Sequence, residues 1–247
     1  MDKQLFIILG ILLISGIVKG TTGFGFALFS LPLLAHYISF KTLIPLLTLF
    51  NLSSSVQMII QTREFNPGKR IIWLSLSGIL GTGIGTLILK FLSPTWLKFI
   101  ASVSLIIISI LFISGYRFKV RKYRRGNIFS GLLSGFLGGS IAVSGPPLAL
   151  FLTSLNVNTY QFRKTFAWFS IVTAGFAFIE QIKIDVVNID VFKYFLYGWP
   201  VVFLSVIVGK RLNKIVPVKL FYRAVVIITL ISGVFLFISC FRQCFVN

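Results

Sequence analysis

A chain of 247 residues that is 56% hydrophobic and 12% charged is not a water-soluble domain, in which about a quarter of residues are charged. Its net charge of +19 raises nucleic acid as a partner. Yet the basic residues sit in the connections between apolar runs, with no basic stripe interleaved with aromatics, so membrane topology accounts for them and no nucleic acid is expected.

The runs approach the length of a helical span, and the ten-residue alternation of a transmembrane β-barrel is absent. The expected class is an all-α integral membrane protein. In chain order, MDKQLFIILGILLISG opens a run over 5–20. It has no small-x-small cleavage site and reads as a mature span. The next run, 23–38, follows a Gly-rich interruption, VKGTTGFGF at 18–26. The run at 42–61 carries a polar stripe, with Asn51, Ser54, Met58 and Gln61 on one helical face. In the run at 71–90, Gly78, Gly81 and Gly85 occur without proline and suit close helix packing. After 96–115 comes YRFKVRKYRRG, 116–126, with six basic residues and no acidic one. The runs at 128–142 and 145–157 flank a second interruption, LGGSIAVSGPP at 137–147. Runs at 165–180, 191–208 and 220–240 complete the chain. Trp73, Trp96, Trp168 and Trp199 are expected as interfacial anchors, and His36, the single histidine, in an interfacial or packing role. Cys240 and Cys244 fit no metal or redox pattern, so no metal or cofactor is expected.

The halves match. A shift of 123 residues lays Lys41-Thr42 on Lys164-Thr165 and Pro94 on Pro217. A shift of 119 lays Ser15-Gly16 on Ser134-Gly135 and Gly20 on Gly139. The expected organisation is repeat one over 1–115, a linker over 116–126 and repeat two over 127–247. Each repeat holds one broken Gly-rich segment, fully crossing or re-entrant, and three long helices. The linker is expected on the cytoplasmic side of the plasma membrane by its positive charge. Counting outward from it puts 62–70 and 209–223 inside, both termini outside, and the halves in opposite orientation, an inverted-topology repeat.

Backbone at membrane depth leaves the helix only inside protein or beside a wet cavity. Glycine permits that, and proline is at home at a helix start. A loop is expected over 139–145, then a short helix from about Pro146 whose free N–H groups and positive end suit an anion. No carboxylate lies inside a run; Glu180 stands at the end of one. The candidate substrate-binding residues are Lys19, Gly20, Thr21, Thr22, Gly23, Gly25 and Asn51 in the first half. In the second they are Gly138, Gly139, Ser140, Ser144, Gly145, Pro146 and Arg163. The competing roles are tight packing for the glycines and snorkelling to the interface for Lys19 and Arg163. No catalytic residue is expected. The one enzymatic alternative pairs AVSG (142–145), similar to the GxSG of rhomboid-type serine proteases, with His36 as base; Ala142 replaces the motif's first glycine.

TTGFGFALFSLPLL (21–34), LSGFLGGSIAVSGPPLALFL (133–152) and FRKT (162–165) resemble the sulfite exporter TauE/SafE family along essentially the whole chain. The resemblance implies a transporter of small anions, chiefly sulfite, sulfoacetate and other organosulfonates. It carries motif roles to Gly20, Gly23, Gly25 and Pro32, and to Gly135, Gly138, Gly139, Gly145, Pro146 and Pro147. The family's first motif is often a run of consecutive glycines; here Thr21, Thr22 and Phe24 interleave, and the threonine hydroxyls offer donors to an oxyanion. The expected function is secondary transport by alternating access, with a passive anion channel as the alternative. No GxxxxGK[ST] loop is present to supply ATP drive. The expected partners are a small anionic substrate, the lipid bilayer and a second copy of the chain as a homodimer.

Overall fold

The computed structural model describes residues 3–63, 65–67, 69–114, 123–155, 157–212 and 218–245. These form ten α-helices and no strand. They are α1 (Lys3–Thr22), α2 (Phe26–Leu34), α3 (Phe40–Thr62), α4 (Lys69–Phe91), α5 (Pro94–Ile113), α6 (Tyr123–Ile141), α7 (Gly145–Ser154), α8 (Thr159–Lys183), α9 (Ile189–Leu212) and α10 (Val218–Phe245). Six of them, α1, α3, α4, α5, α8 and α9, are long and apolar enough to cross a membrane. The chain is a multi-pass membrane protein. Most of the basic linker lies outside the described residues, and its last four positions already belong to α6.

Each Gly-rich segment breaks its helix over only three residues, 23–25 and 142–144. This is shorter than the sequence suggested. Gly20, Thr21 and Thr22 close α1, while Gly138, Gly139 and Ser140 are inside α6. The helix after each break is short, nine residues in α2 and ten in α7. At 1.5 Å per residue these reach about 14 and 15 Å, half the hydrocarbon core. Neither crosses by itself. Both are enclosed by long helices: every residue of α2 except Leu33 is buried, as is α7 from Gly145 to Leu152.

The pairings of α1–α5 repeat when these helices are exchanged for α6–α10. α1 packs on α9 and α6 on α4; α3 packs on α9 and α8 on α4; α1 turns back on α2 and α6 on α7. The first helix of each half therefore docks on the fourth helix of the other. Small residues make both crossings. Gly16 faces Val202 O and Ser205, and Gly20 faces Val206 O and Gly209. In the second crossing Gly131, Gly135 and Gly139 face the carbonyls of Leu74, Gly78 and Thr82, while Gly81 and Gly85 face those of Leu132 and Phe136. Both pairs run parallel. The 119-residue shift that lays Gly16 on Gly135 and Gly20 on Gly139 thus joins residues with the same packing role. By contrast α3 and α8 run antiparallel: Gln181 reaches Thr48 (3.2 Å), and Leu52 lies against Gly175.

The tryptophans divide. Trp73 and Trp96 open α4 and α5, as expected of anchors. Trp168 and Trp199 are mid-helix instead; Trp168 packs against the core, and Trp199 lies outward beside Phe203.

The crossings predict a contrast within one helix. A Cβ on Gly85 would overlap the Phe136 carbonyl, whereas one on Gly83 meets only a Phe176 ring carbon at 3.8 Å. Gly85→Ala is expected to cost about 2 kcal/mol or more by overpacking. Gly83→Ala is expected to gain up to about 1 kcal/mol of helix propensity. Thermal melts of the two purified variants check this; equal melting temperatures would refute it.

Candidate functional site

The first break depends on left-handed backbone. Gly23 and Gly25 have φ of 91° and 89°, conformations that only glycine adopts without penalty. Thr22 accepts a hydrogen bond from Phe24 N (3.3 Å), and its one hydroxyl proton is shared between the carbonyls of Val18 (2.8 Å) and Phe24 (2.6 Å). Phe24 projects into a ring cluster of Phe112, Phe162 and Phe166. In the second break the left-handed residue is Ala142 (φ 59°), not a glycine. Its N–H donates to Gly138 O (3.0 Å) and that of Val143 to Leu137 O (3.2 Å), closing the end of α6.

The two breaks line one small pocket. Gly25 and the first turn of α2 form one wall; Ala142, Ser144, Gly145 and Pro146 form the other, with Asn51 of α3 between them. An adjoining cavity is lined by Gly138, Ser144, Thr48 and Thr173. Phe26, Ala27 and Leu28 line the first pocket, and their N–H groups, without helical partners as at any helix start, form the positive end of α2. α7 contributes less than the sequence suggested. Pro146 and Pro147 occupy its first turn and have no N–H, so Gly145 is the one donor of that turn.

The hydroxyls sort by their commitments. Thr21 donates to Ile17 O (2.7 Å) and lies 3.2 Å from Gly209 O, and Ser140 donates to Phe136 O (2.7 Å). A hydroxyl has one proton, so Thr21, Thr22 and Ser140 are occupied by helix carbonyls and do not offer the oxyanion donors expected of them. Ser144 makes no capping hydrogen bond and faces both cavities. Gly20 and Gly139, expected at the site, face the neighbouring helices. Gly138 stays at its edge, against Ser144.

Lys19 does not snorkel. It is 1% exposed, and its Nζ donates to Asn51 O (3.0 Å), Asn51 Oδ1 (3.4 Å) and Ser55 Oγ (2.9 Å). Asn51 in turn donates from Nδ2 to Ala142 O (3.1 Å). A buried ammonium in the first half is thereby linked through a neutral amide to the break of the second. Arg163 crosses the opposite way. It donates to Gly20 O near the end of α1, and its stem covers Gly23. The ion pairs of the described residues, Glu180 with Lys183 and Asp190 with Lys193, lie elsewhere.

Sequence reasoning missed Ser55 and Ala142. Ser55 was within reach, four residues after Asn51 on one helical face; nothing marks Ala142. His36 is exposed, with Nδ1 3.1 Å from Pro32 O. No hydrogen bond joins it to Ser144 among the described residues. No cluster of metal-ligating side chains occurs among them either.

The strained alanine is testable. A non-glycine residue in the left-handed region is disfavoured by roughly 1 kcal/mol. Ala142→Gly should therefore raise unfolding stability by about 0.5–1 kcal/mol, read as a higher melting temperature. A lower one would contradict the left-handed assignment.

No curated protein and no solved structure matches the chain. A family model does, over residues 7–236, described as Sulfite exporter TauE/SafE. That match takes in both breaks, both glycine crossings, Lys19 and Arg163, and on it the chain belongs to the sulfite exporter TauE/SafE family.

Proposed function

We propose that the chain is a secondary transporter that exports a small sulfur-containing anion, such as sulfite or an organosulfonate, across the plasma membrane. The anion is held between the two broken helices, and access alternates between the two sides. One observation carries the reading: the pocket shared by the breaks combines free N–H groups of α2 and the uncommitted Ser144 with the nearby Lys19 ammonium, and no carboxylate of the described residues lines it. An anion entering there meets donors and a charge already taken out of water. A cation would meet Lys19.

The inverted-repeat reading belongs to the same proposal. α3 and α8 are equivalents under the exchange of halves, and they run antiparallel. That is the relation alternating-access carriers use to reach two arrangements of similar energy. The pocket, about 10 Å³, admits about one water. Binding sulfite therefore requires the breaks to part, which is the motion alternating access provides. The basic linker faces the cytoplasm in this scheme.

A ligand that binds only the folded protein stabilises it by about 2.7 kcal/mol at a hundred times its Kd. Purified protein should melt at a higher temperature in sulfite or an organosulfonate than in chloride. Ser144→Val and Lys19→Met should abolish most of that shift. A shift with a cation or neutral solute only would sink the anion reading. In proteoliposomes sulfite efflux should saturate and follow a coupling gradient; unsaturable flux would make the protein a channel.

A further inference from the structure

A second cavity, of about 30 Å³, lies where α3 and α9 end and α8 begins. Three of its nine lining residues, Arg163, Lys164 and Lys210, are cations, beside Gln61, Thr62, Gly20 and three apolar side chains. The cations come from the start of α8 and the end of α9, two consecutive helices. No carboxylate of the described residues lines the cavity: Glu180 and Asp190 lie toward the opposite ends of α8 and α9.

The donors are more telling than the charge. Lys210 Nζ donates to Gln61 O (3.1 Å), which anchors that cation at the end of α3. Arg163 donates one guanidinium N–H to Gly20 O. Two further N–H donors at the cavity, Arg163 Nε and Gln61 Nε2, are buried with no acceptor. Buried donors are almost always satisfied, and an orphaned pair beside a cavity marks a missing acceptor. Arginine presents its N–H groups in a fork that matches an oxyanion's geometry.

We infer that this cavity is a second anion site, separate from the pocket at the breaks, which takes a small tetrahedral oxyanion. Its oxygens accept from Arg163 Nε and Gln61 Nε2, and Lys210 supplies charge. Arg163 connects the two sites, because the guanidinium at this cavity also holds the last turn of α1 before the first break. The site stands whether or not the chain exports sulfite. The same chemistry would accept a free oxyanion or the phosphate of a lipid headgroup.

Isothermal titration of sulfate into the purified full-length protein tests it. Gln61→Leu and Lys210→Met should each weaken sulfate at least about tenfold, the effect of losing one charge-assisted contact, while Ser144→Val leaves sulfate binding at this site in place. Arg163→Lys, which keeps the charge and loses the fork, should weaken it as well. Size-exclusion profiles verify that each variant is folded. The proposal is overturned if Gln61→Leu and Lys210→Met bind sulfate like the parent. It also falls if Ser144→Val alone abolishes binding, because sulfate would then report the pocket at the breaks. Glu64 lies outside the described residues; binding seen only in Glu64→Gln would assign the cavity to that carboxylate and refute the site. Titrations repeated with phosphatidylglycerol in the micelles separate the sources. A free-ion site retains its sulfate affinity, and a tenfold loss would make the ligand a lipid headgroup instead.

Discussion

At both crossings a carbonyl oxygen stands where a side chain would begin. Val206 O lies against Gly20 and Thr82 O against Gly139. Lipid tails are as apolar as leucine, so no hydrophobic force drives helices together inside a bilayer, and close packing must hold them. These contacts supply it, and they also fix the ends of α1 and α6 against helices of the opposite half. Within three residues of each crossing the chain leaves the helix. The released backbone groups are then surrounded by protein rather than by lipid, the condition for irregular backbone at that depth. Because each crossing joins one half to the other, the two breaks come to lie on either side of one pocket.

Charge follows a second constraint. Taking an ammonium out of water costs several kcal/mol even after relaxation. A carboxylate partner would offset that cost, but it would also cancel the field. Asn51 and Ser55 instead solvate Lys19 with neutral dipoles and leave its charge uncompensated. Arg163 follows the same logic by satisfying the carbonyl of Gly20 at the negative end of α1. Among the described residues, the hydrogen-bond partners of Lys19 and Arg163 are thus neutral dipoles.

Much of this was legible from composition and spacing: the helical class, the two interruptions, the lack of buried acids and the inward polar face around Asn51. The roles of individual glycines were not. Gly20 admits a neighbouring carbonyl, Gly25 adopts positive φ, and Gly138 borders Ser144. These are three functions for one residue type, and each is set by a partner or a dihedral that one-dimensional sequence does not carry. The hydroxyls were more readable than the expectation made of them. In a helix, serine and threonine tend to bond back to the carbonyl four residues earlier. Applied to Thr21, Thr22 and Ser140, that rule removes all three as free donors and leaves Ser144, which stands at a break. Trp168 misled because its run was read as starting at 165, whereas α8 begins at Thr159; Trp199 stands in the middle of both its run, 191–208, and α9, so its position did not support an anchor.

The two halves are furnished unequally. Asn51 corresponds under the 123-residue shift to Ala174, which lines the adjoining cavity and has no side-chain hydrogen bond to give. Lys19 corresponds under the 119-residue shift to Gly138. The first break offers N–H donors from α2, whereas prolines strip them from α7 and a serine hydroxyl stands in their place. The proposed carrier needs two arrangements of comparable energy, and unequal residues would make one of them the better host for an anion. On that proposal an anion in the pocket is held mainly by the first half's donors. The one-sided set of polar groups would then supply the difference in affinity between two arrangements, without which a ligand shifts no equilibrium.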